Sequence, residues 1–427
     1  HPIPRRQRQM CIRDRYNRCV IKMTSNSATS TKKWPLEGIK VLDLGQIYNG
    51  PYAGFLLAHA GADVVKVEPL SGEVLRERGG GEVPLSFAML NTNKRGITIN
   101  LKESKGKELL LELAGEADVL LENFAPGAMD RLELGIELFL EKNPRLIYAS
   151  GSGYGLTGPK KDNLAMDLTV QAVSGMMSIN GLENGPPMKA GAAVCDFVGG
   201  VHLYAGIVTA LYEREVTGVG GVVEVAMQEA IYPVLTSNIA SLHRNKWKQP
   251  LRRGNKHPTR GSAPYNVYEA NDGHIAIICV KDDHWFSLLR LFNREDLIVD
   301  QRFATQALRA LNEDAVDELV ENWTKTKTKD EAVKLLAKNK IPAAPVRNLE
   351  EVTRDEHMHE RGMLRYVTHP ILGDIVLPTS PIRHHGSTKR ELNLEPHLGQ
   401  HTTEVLSDWL KMSKDAIAAL RGFNAIH

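Results

Sequence analysis

From Pro35 onward the chain repeats one pattern: a short apolar run closed by Gly, Pro or an acidic residue, then a longer stretch with helical spacing, then another apolar run. GIKVLDLG and DVVKVEP are such runs, and NGPYAGFLLAHAGA between them has the length and small-residue content of a helix. Strand, helix, parallel strand is the simplest reading, with the right-handed crossover that such units take. NKRGITINL, a helix from Ser104 to Ala114, the strand ADVLLENF, a helix around Met129 to Leu140 and the strand PRLIYASGSGYG continue the alternation. This regularity predicts an α/β fold built on a doubly wound parallel sheet. The loop Gln46 to Pro51 follows the first strand, and ENFAPG and SGSGYGLTG follow later ones. Open α/β sheets bind ligands at the carboxyl ends of their strands, so these loops are candidates to share one crevice.

The next segment, NLAMDLTVQAVSG, sets one carboxylate, Asp167, among small and apolar residues. It reads as the start of a buried helix. A carboxylate there must be capped, paired or used; local sequence alone favours Asp167 as the N-cap. A long helical pattern follows, VGGVHLYAGIVTALYERE, whose small inner residues suit close packing at a domain or subunit junction, or in a monomer core. The strand VVEVAM comes next. Around 237–260 the composition turns basic. APYNVYEA, the turn NDG and HIAIICV then predict a hairpin, and charged amphipathic helix runs from His284 to Lys338. IPAAPVRNLEEV marks a Pro-rich exit, Leu364 to Pro381 an extended return with short strands, and the tail two helices. The expected organisation is a leader (1–33), a large Rossmann-like domain (34–225) completed by C-terminal helices (400–427), a smaller α+β domain (226–345) and a return linker (346–399).

Composition narrows the function. Apolar residues make up 42% and charged residues 24%, as in a soluble globular protein, and there is no unbroken apolar run of the roughly 18 residues a membrane span needs. The net charge of +2 hides an asymmetry: residues 1–33 hold nine Lys or Arg and one acidic residue, leaving 44 basic and 50 acidic residues from Trp34 onward. An acidic body argues against nucleic acid as a partner. The Arg- and Ser-rich leader has no apolar face, so it reads as upstream sequence with Met23 a plausible start, the alternative being a mitochondrial transit peptide. A cytoplasmic protein is expected, or a mitochondrial-matrix one in the second case. Four cysteines without paired spacing point to neither a metal cluster nor a disulfide framework, and no G-x-G-x-x-G fingerprint supports a dinucleotide. No metal and no permanently bound cofactor are expected.

Eight ordered blocks, VLDLGQIYNGP with GADVVKVEP, LNTNKRGITINL, DVLLENFAPGAMDRLELG, NPRLIYASGSGYGLTGP, AMDLTVQAVSG, GNKHPTRGSAPYNVYEANDG, IPAAPV and LGQHTTEVL, together resemble the family III CoA-transferases and the related α-methylacyl-CoA racemases. The resemblance covers nearly the whole chain from Trp34. It implies an interlocked homodimer, a coenzyme A thioester as substrate, and Asp167 as the nucleophile. It also implies a CoA site with Asn123, Phe124, Arg131 and Leu132, Lys102 near the CoA phosphates, and Gln46, Tyr48 and Asn49 in the first loop. The glycine-rich loop that some members place over the site has no counterpart here; GNKHPTRG stands in its place. By resemblance, CoA passes from an acyl-CoA such as succinyl-CoA to a small carboxylic or dicarboxylic acid. A carboxylate nucleophile suits this, because a mixed anhydride preserves the thioester's energy. Backbone N–H groups of SGSGYG are candidates to stabilise the oxyanion.

Two rival readings remain. A racemase needs proton carriers on both faces of the carbon next to the thioester, and its family partner for the Asp is a His. This chain has no histidine between His59 and His202, and Met166 stands where racemases carry one. A non-catalytic CoA-binding protein would gain nothing from a buried carboxylate. His202, in an apolar helix, reads as a packed core residue, and His384 and His385 as solvated linker residues.

Overall fold

The computed structural model of the chain describes residues 34–78, 84–248, 252–386 and 391–427; the leader expected over 1–33 lies outside them. Six parallel strands, β1 (Lys40–Asp43), β2 (Asp63–Glu68), β3 (Arg95–Thr98), β4 (Val119–Glu122), β5 (Ile147–Ser152) and β6 (Gly221–Ala226), form one sheet in the order β3-β2-β1-β4-β5-β6. The chain winds outward from β1 to β3, then returns past β1 and winds outward again, which makes the β1/β4 boundary the switch point where loops diverge and leave a crevice.

Alternate strand residues feed two cores, as the two-residue period of a sheet buried on both faces requires. Leu42, Val65, Ile97, Leu120 and Tyr148 face one layer, with α3 (Ser104–Glu116) and α4 (Ile136–Lys142). Val405, Leu406, Trp409 and Ile417 of the two C-terminal helices, α10 (Thr402–Trp409) and α11 (Lys414–Gly422), join that same core. Val41, Val64, Val119, Leu121 and Ile147 face the opposite layer, with Ala53 and Leu57 of α1 (Asn49–His59) and Leu203, Ile207 and Leu211 of α6 (Val194–Thr217). Between α1 and α3 lies α2 (Leu85–Asn91), and α5 (Asp167–Val173) precedes α6. A separate core gathers around Trp285, Leu288, Val316, Val320 and Leu336, beneath the antiparallel strands β7 (Tyr265–Ala270), β8 (Gly273–Ile278) and β9 (Ala343–Pro345). It is closed by α7 (Asp282–Leu291), α8 (Glu313–Thr324) and α9 (Lys329–Lys338).

Several expectations are corrected. The single helix around Met129 to Leu140 is two, Ala128–Arg131 and α4, broken where Glu133 takes a positive φ of 59° and Gly135 precedes the second piece. IPAAPV is not merely an exit: Ala343–Pro345 pairs as the edge strand β9, the place where a sheet tolerates proline. The short strands expected between Leu364 and Pro381 are present, β10 (Leu364–His369) and β11 (Gly373–Pro378), paired antiparallel as a hairpin. By length and composition α6 could cross a membrane, which a search for unbroken apolar runs misses because Asp196 and His202 interrupt it. One face of α6 packs on α1, β5 and β6, and the other is open. His202 lies on that open face, bonded to the Val198 carbonyl at 2.8 Å, and is not a core residue. His384 is half-buried edge-on against Trp34, at 6.3 Å between ring centres, rather than solvated.

Candidate active site

Asp167 is the first residue of α5 and not its cap; Met166 holds that place with extended backbone, and its N–H is taken by the Thr169 hydroxyl at 3.0 Å. The Asp167 carboxylate instead caps another helix. Its Oδ1 accepts from the backbone N–H of Cys195 at 2.8 Å and, more weakly, from that of Asp196 at 3.4 Å. Both N–H groups belong to the first turn of the 24-residue α6, where donors lack intrahelical partners and the helix dipole favours negative charge. Oδ2 accepts from Gln171 Nε2 at 2.7 Å. Gln171 is fully buried and also binds Ala192 O at 3.2 Å and Ala190 N–H at 2.8 Å, which fixes the loop entering α6.

The helix was expected to be buried, but only Val170 and Gln171 of α5 are; Leu168 is 54% exposed and Asp167 half-buried. The small residues of this segment make room on one side only, where Ala165 sits so close to Gly153 that an added Cβ on Gly153 would meet it at 2.1 Å. Asp167 is therefore held firmly from behind and open in front.

Neighbouring groups differ in what they can do. Burial, helped by the Asp167 and Asp196 charges, pushes the Cys195 thiol up to about 12, so it is inert as a nucleophile near neutral pH. Burial raises the Asp196 carboxyl to about 7; the Asp167 charge adds to this and the Arg78 guanidinium opposes it. The N–H of Gly155, the last residue of the SGSGYG segment, is already spent on Ser152 Oγ at 2.8 Å, and that of Leu156 just after it on Glu224 Oε2 at 2.5 Å. Around Asp167 the first turn of α6 supplies the backbone donors instead.

The loops at the switch point clasp one another. Asn123, after β4, accepts from Gln46 N–H at 2.7 Å and donates to Gln46 O at 3.0 Å, so its amide is committed to the loop after β1. That loop holds Ile47 at a φ of 64°, strained for a β-branched residue, and Glu73 Oε2 secures its N–H at 2.9 Å. Behind it lies a buried ionic cluster: Lys94 with Asp43 at 2.7 Å, Lys66 with Glu73 at 3.2 Å, and Lys66 on the Gly45 carbonyl. Desolvation lowers Lys94 to about 8 despite Asp43.

Asn49 is 2% exposed, donates to Asp196 O at 3.2 Å, and is wedged between Gly151 and Gly199. Tyr48 stacks on Phe197 at 5.9 Å. Phe124 and Leu132 pack on the sheet's core, and Arg131 is exposed with Nη1 on Pro126 O at 3.1 Å. Phe124 also lines a cleft of about 180 Å³ at the ends of β4 and β5, with Pro126, Tyr148, Ser152 and Lys161. Lys102 is exposed past the end of β3, three strands from β4, or about 14 Å across the sheet. Thus Asn123 and Gln46 meet, Tyr48 and Asn49 reach the first turn of α6, Phe124 lines the cleft with Arg131 tied to its Pro126, Leu132 packs on the sheet's core, and Lys102 stands apart.

Gln171, Asp196 and the Asp43–Lys66–Glu73–Lys94 cluster escaped the reading of sequence. The available signal was charge inside apolar strands, as in KVLD and DVVKVE.

The description of CoA-transferase family III matches residues 36–402. The chain is 36% identical over 408 residues to a formyl-CoA:oxalate CoA-transferase of Streptomyces coelicolor, covering 92% of this chain and 99% of that one. It is 31% identical over 391 residues to the succinyl-CoA:glutarate CoA-transferase of Homo sapiens, covering 90% and 88%. A solved CAIB/BAIF family protein from Brucella suis superposes with a TM-score of 0.79 at 32% identity, over 88% of this chain and 100% of that one.

Proposed function

Because this chain belongs to CoA-transferase family III, we propose that Asp167 moves coenzyme A from an acyl-CoA to a free carboxylic acid by forming covalent intermediates. The observation that supports this most is the carboxylate itself, fixed from behind by α6 and Gln171 and open in front.

Asp167 Oδ2 attacks the thioester carbonyl; the C–S bond breaks, CoA leaves as thiolate, and an acyl-aspartyl anhydride remains. The thiolate attacks the aspartyl carbonyl, forming an aspartyl-CoA thioester and releasing the first acid as carboxylate. The acceptor carboxylate then attacks the aspartyl thioester and expels CoA thiolate. Finally the thiolate attacks the new acyl carbonyl, giving the product thioester and the free Asp167 carboxylate. No net proton or electron is gained or lost. When the aspartyl carbonyl is attacked, Oδ1 becomes the oxyanion, and it already lies against the Cys195 and Asp196 N–H groups. The cleft at Phe124 and Lys161 is the proposed path of the CoA arm, with the exposed Arg131, bonded to the Pro126 carbonyl, and Lys102 to meet its phosphates.

An anhydride must be shielded from water. Leu164, Met166 and Leu168 beside Asp167, and Val201, Tyr212 and Val216 on the open face of α6, are exposed. We assign their cover to a second copy of the chain, in a homodimer.

Incubation with acyl-CoA followed by hydroxylamine or borohydride should mark one peptide, that of Asp167, and Asp167→Asn should lose both label and turnover. Undiminished turnover in that variant, or α-proton exchange in deuterated water with inversion and no transfer, would refute the proposal.

A further inference from the structure

A second recess, of about 250 Å³, opens beside the first turn of α6. Tyr48, Tyr52, Leu90 and Phe197 form its walls, and Met363, just before the return hairpin, and Pro378 at its end close it. The aromatic rings interlock: Tyr48 stacks on Phe197 at 5.9 Å and Tyr52 meets Phe197 edge-on at 4.8 Å. None of the described residues lining the recess carries a charge. Arg76, which lies over the Phe87 ring behind this wall, is bound to Glu68 at 2.6 Å.

This recess shares its scaffold with the nucleophile. Phe197 is the next residue after Asp196, whose N–H faces Asp167, and Tyr48 precedes Asn49, whose amide holds the Asp196 carbonyl. The apolar wall and the reacting carboxylate are thus fixed to the same helical turn. A second carboxylate seated among these side chains would lose its water and meet no charged partner in the described lining, which is unfavourable. An apolar chain would lose nothing.

We propose that the recess receives the carbon chain of the transferred acid, and that the enzyme selects apolar monocarboxylates rather than dicarboxylates. A cavity of about 150 Å³ suffices for benzene, so this one suits a chain of roughly four to six carbons or one ring. This rests on the transferase reading above, whose failure the test separates from its own.

Two series test it. In the first, wild-type protein is supplied with acetate, butyrate, hexanoate, phenylacetate, oxalate, succinate and glutarate as acceptors, and CoA products are identified by mass. The expected kcat/KM rises about fourfold per added methylene until the recess is full. Ser86→Phe, which narrows the recess, should lower the hexanoate-to-acetate ratio about tenfold, and Met89→Ala, at its rim, should move the optimum to longer acids. In the second, binding of acetyl- to octanoyl-CoA to the Asp167→Asn protein is measured by calorimetry, where the same gradient is expected without turnover. A preference for oxalate or glutarate with a flat chain-length series would overturn the pocket and leave the transferase standing. Graded binding without transfer to any acid would keep the pocket and remove the transferase.

Discussion

Replacing Asp196 by Asn should stabilise this protein, by an amount that grows as pH rises from about 4 to about 7 and then levels off. Asp196 is 9% exposed, in the first turn of α6, and its carboxyl is raised from the ordinary 3.8 to about 7, chiefly by burial and then by the Asp167 charge. A carboxyl whose folded value is raised binds its proton more tightly in the folded chain than in the unfolded one. Its stabilising contribution is therefore complete below pH 4, declines as pH rises, and is gone once pH passes about 7. At about 1.4 kcal/mol per pH unit across that window, the ionised side chain costs the folded state at most about 4 kcal/mol at pH 8. Asn keeps the shape without the charge. Thermal or urea unfolding of both proteins at pH 4.5, 6 and 8, at constant ionic strength, should show near-coincidence at pH 4.5 and a widening advantage for Asp196→Asn above. The pH dependence should shrink in an Asp167→Asn background, where the second cause is removed. An Asp196→Asn protein less stable than its parent at pH 8, or a difference independent of pH, would refute the reasoning.

Two other outcomes follow from the same region. Gly199→Ala would set a Cβ 2.3 Å from Asn49 Nδ2 and 3.0 Å from Met227, so it should cost about 1–3 kcal/mol by overpacking, read as a lowered unfolding midpoint, and reduce kcat by displacing α6. If the proposed homodimer forms, light scattering should give twice the mass of the 47.3 kDa chain at every concentration; a concentration-independent monomer would remove it.

Most of the fold is legible because it is local. Each strand of the large sheet is a short apolar run with its own Gly, Pro or acidic stop, and periodicity finds such runs without knowing their neighbours. The misplaced boundaries have local causes as well: the positive φ at Glu133 lies inside a convincing helical pattern, and IPAAPV looks like a linker until an edge strand needs it. The site is less legible because it is built from distant pairs. Asp167 stands out in an uncharged segment, but its partner is a backbone N–H 28 residues later, and a backbone donor leaves no mark in sequence.

Asn49 illustrates the deeper limit. The family resemblance implies a place for it in the CoA site; its side chain is 2% exposed and its Oδ1 has no partner. The glycines at 151 and 199 exist to admit it, since a methyl at either would lie 2.3 Å from its amide. Its Nδ2 holds the carbonyl of the residue whose N–H faces Asp167. The loop after β1, the end of β5 and the first turn of α6 therefore meet on one amide. A buried acceptor left unpaired costs about 1–3 kcal/mol. It is retained where the same amide sets the position of the helix terminus that holds the Asp167 carboxylate.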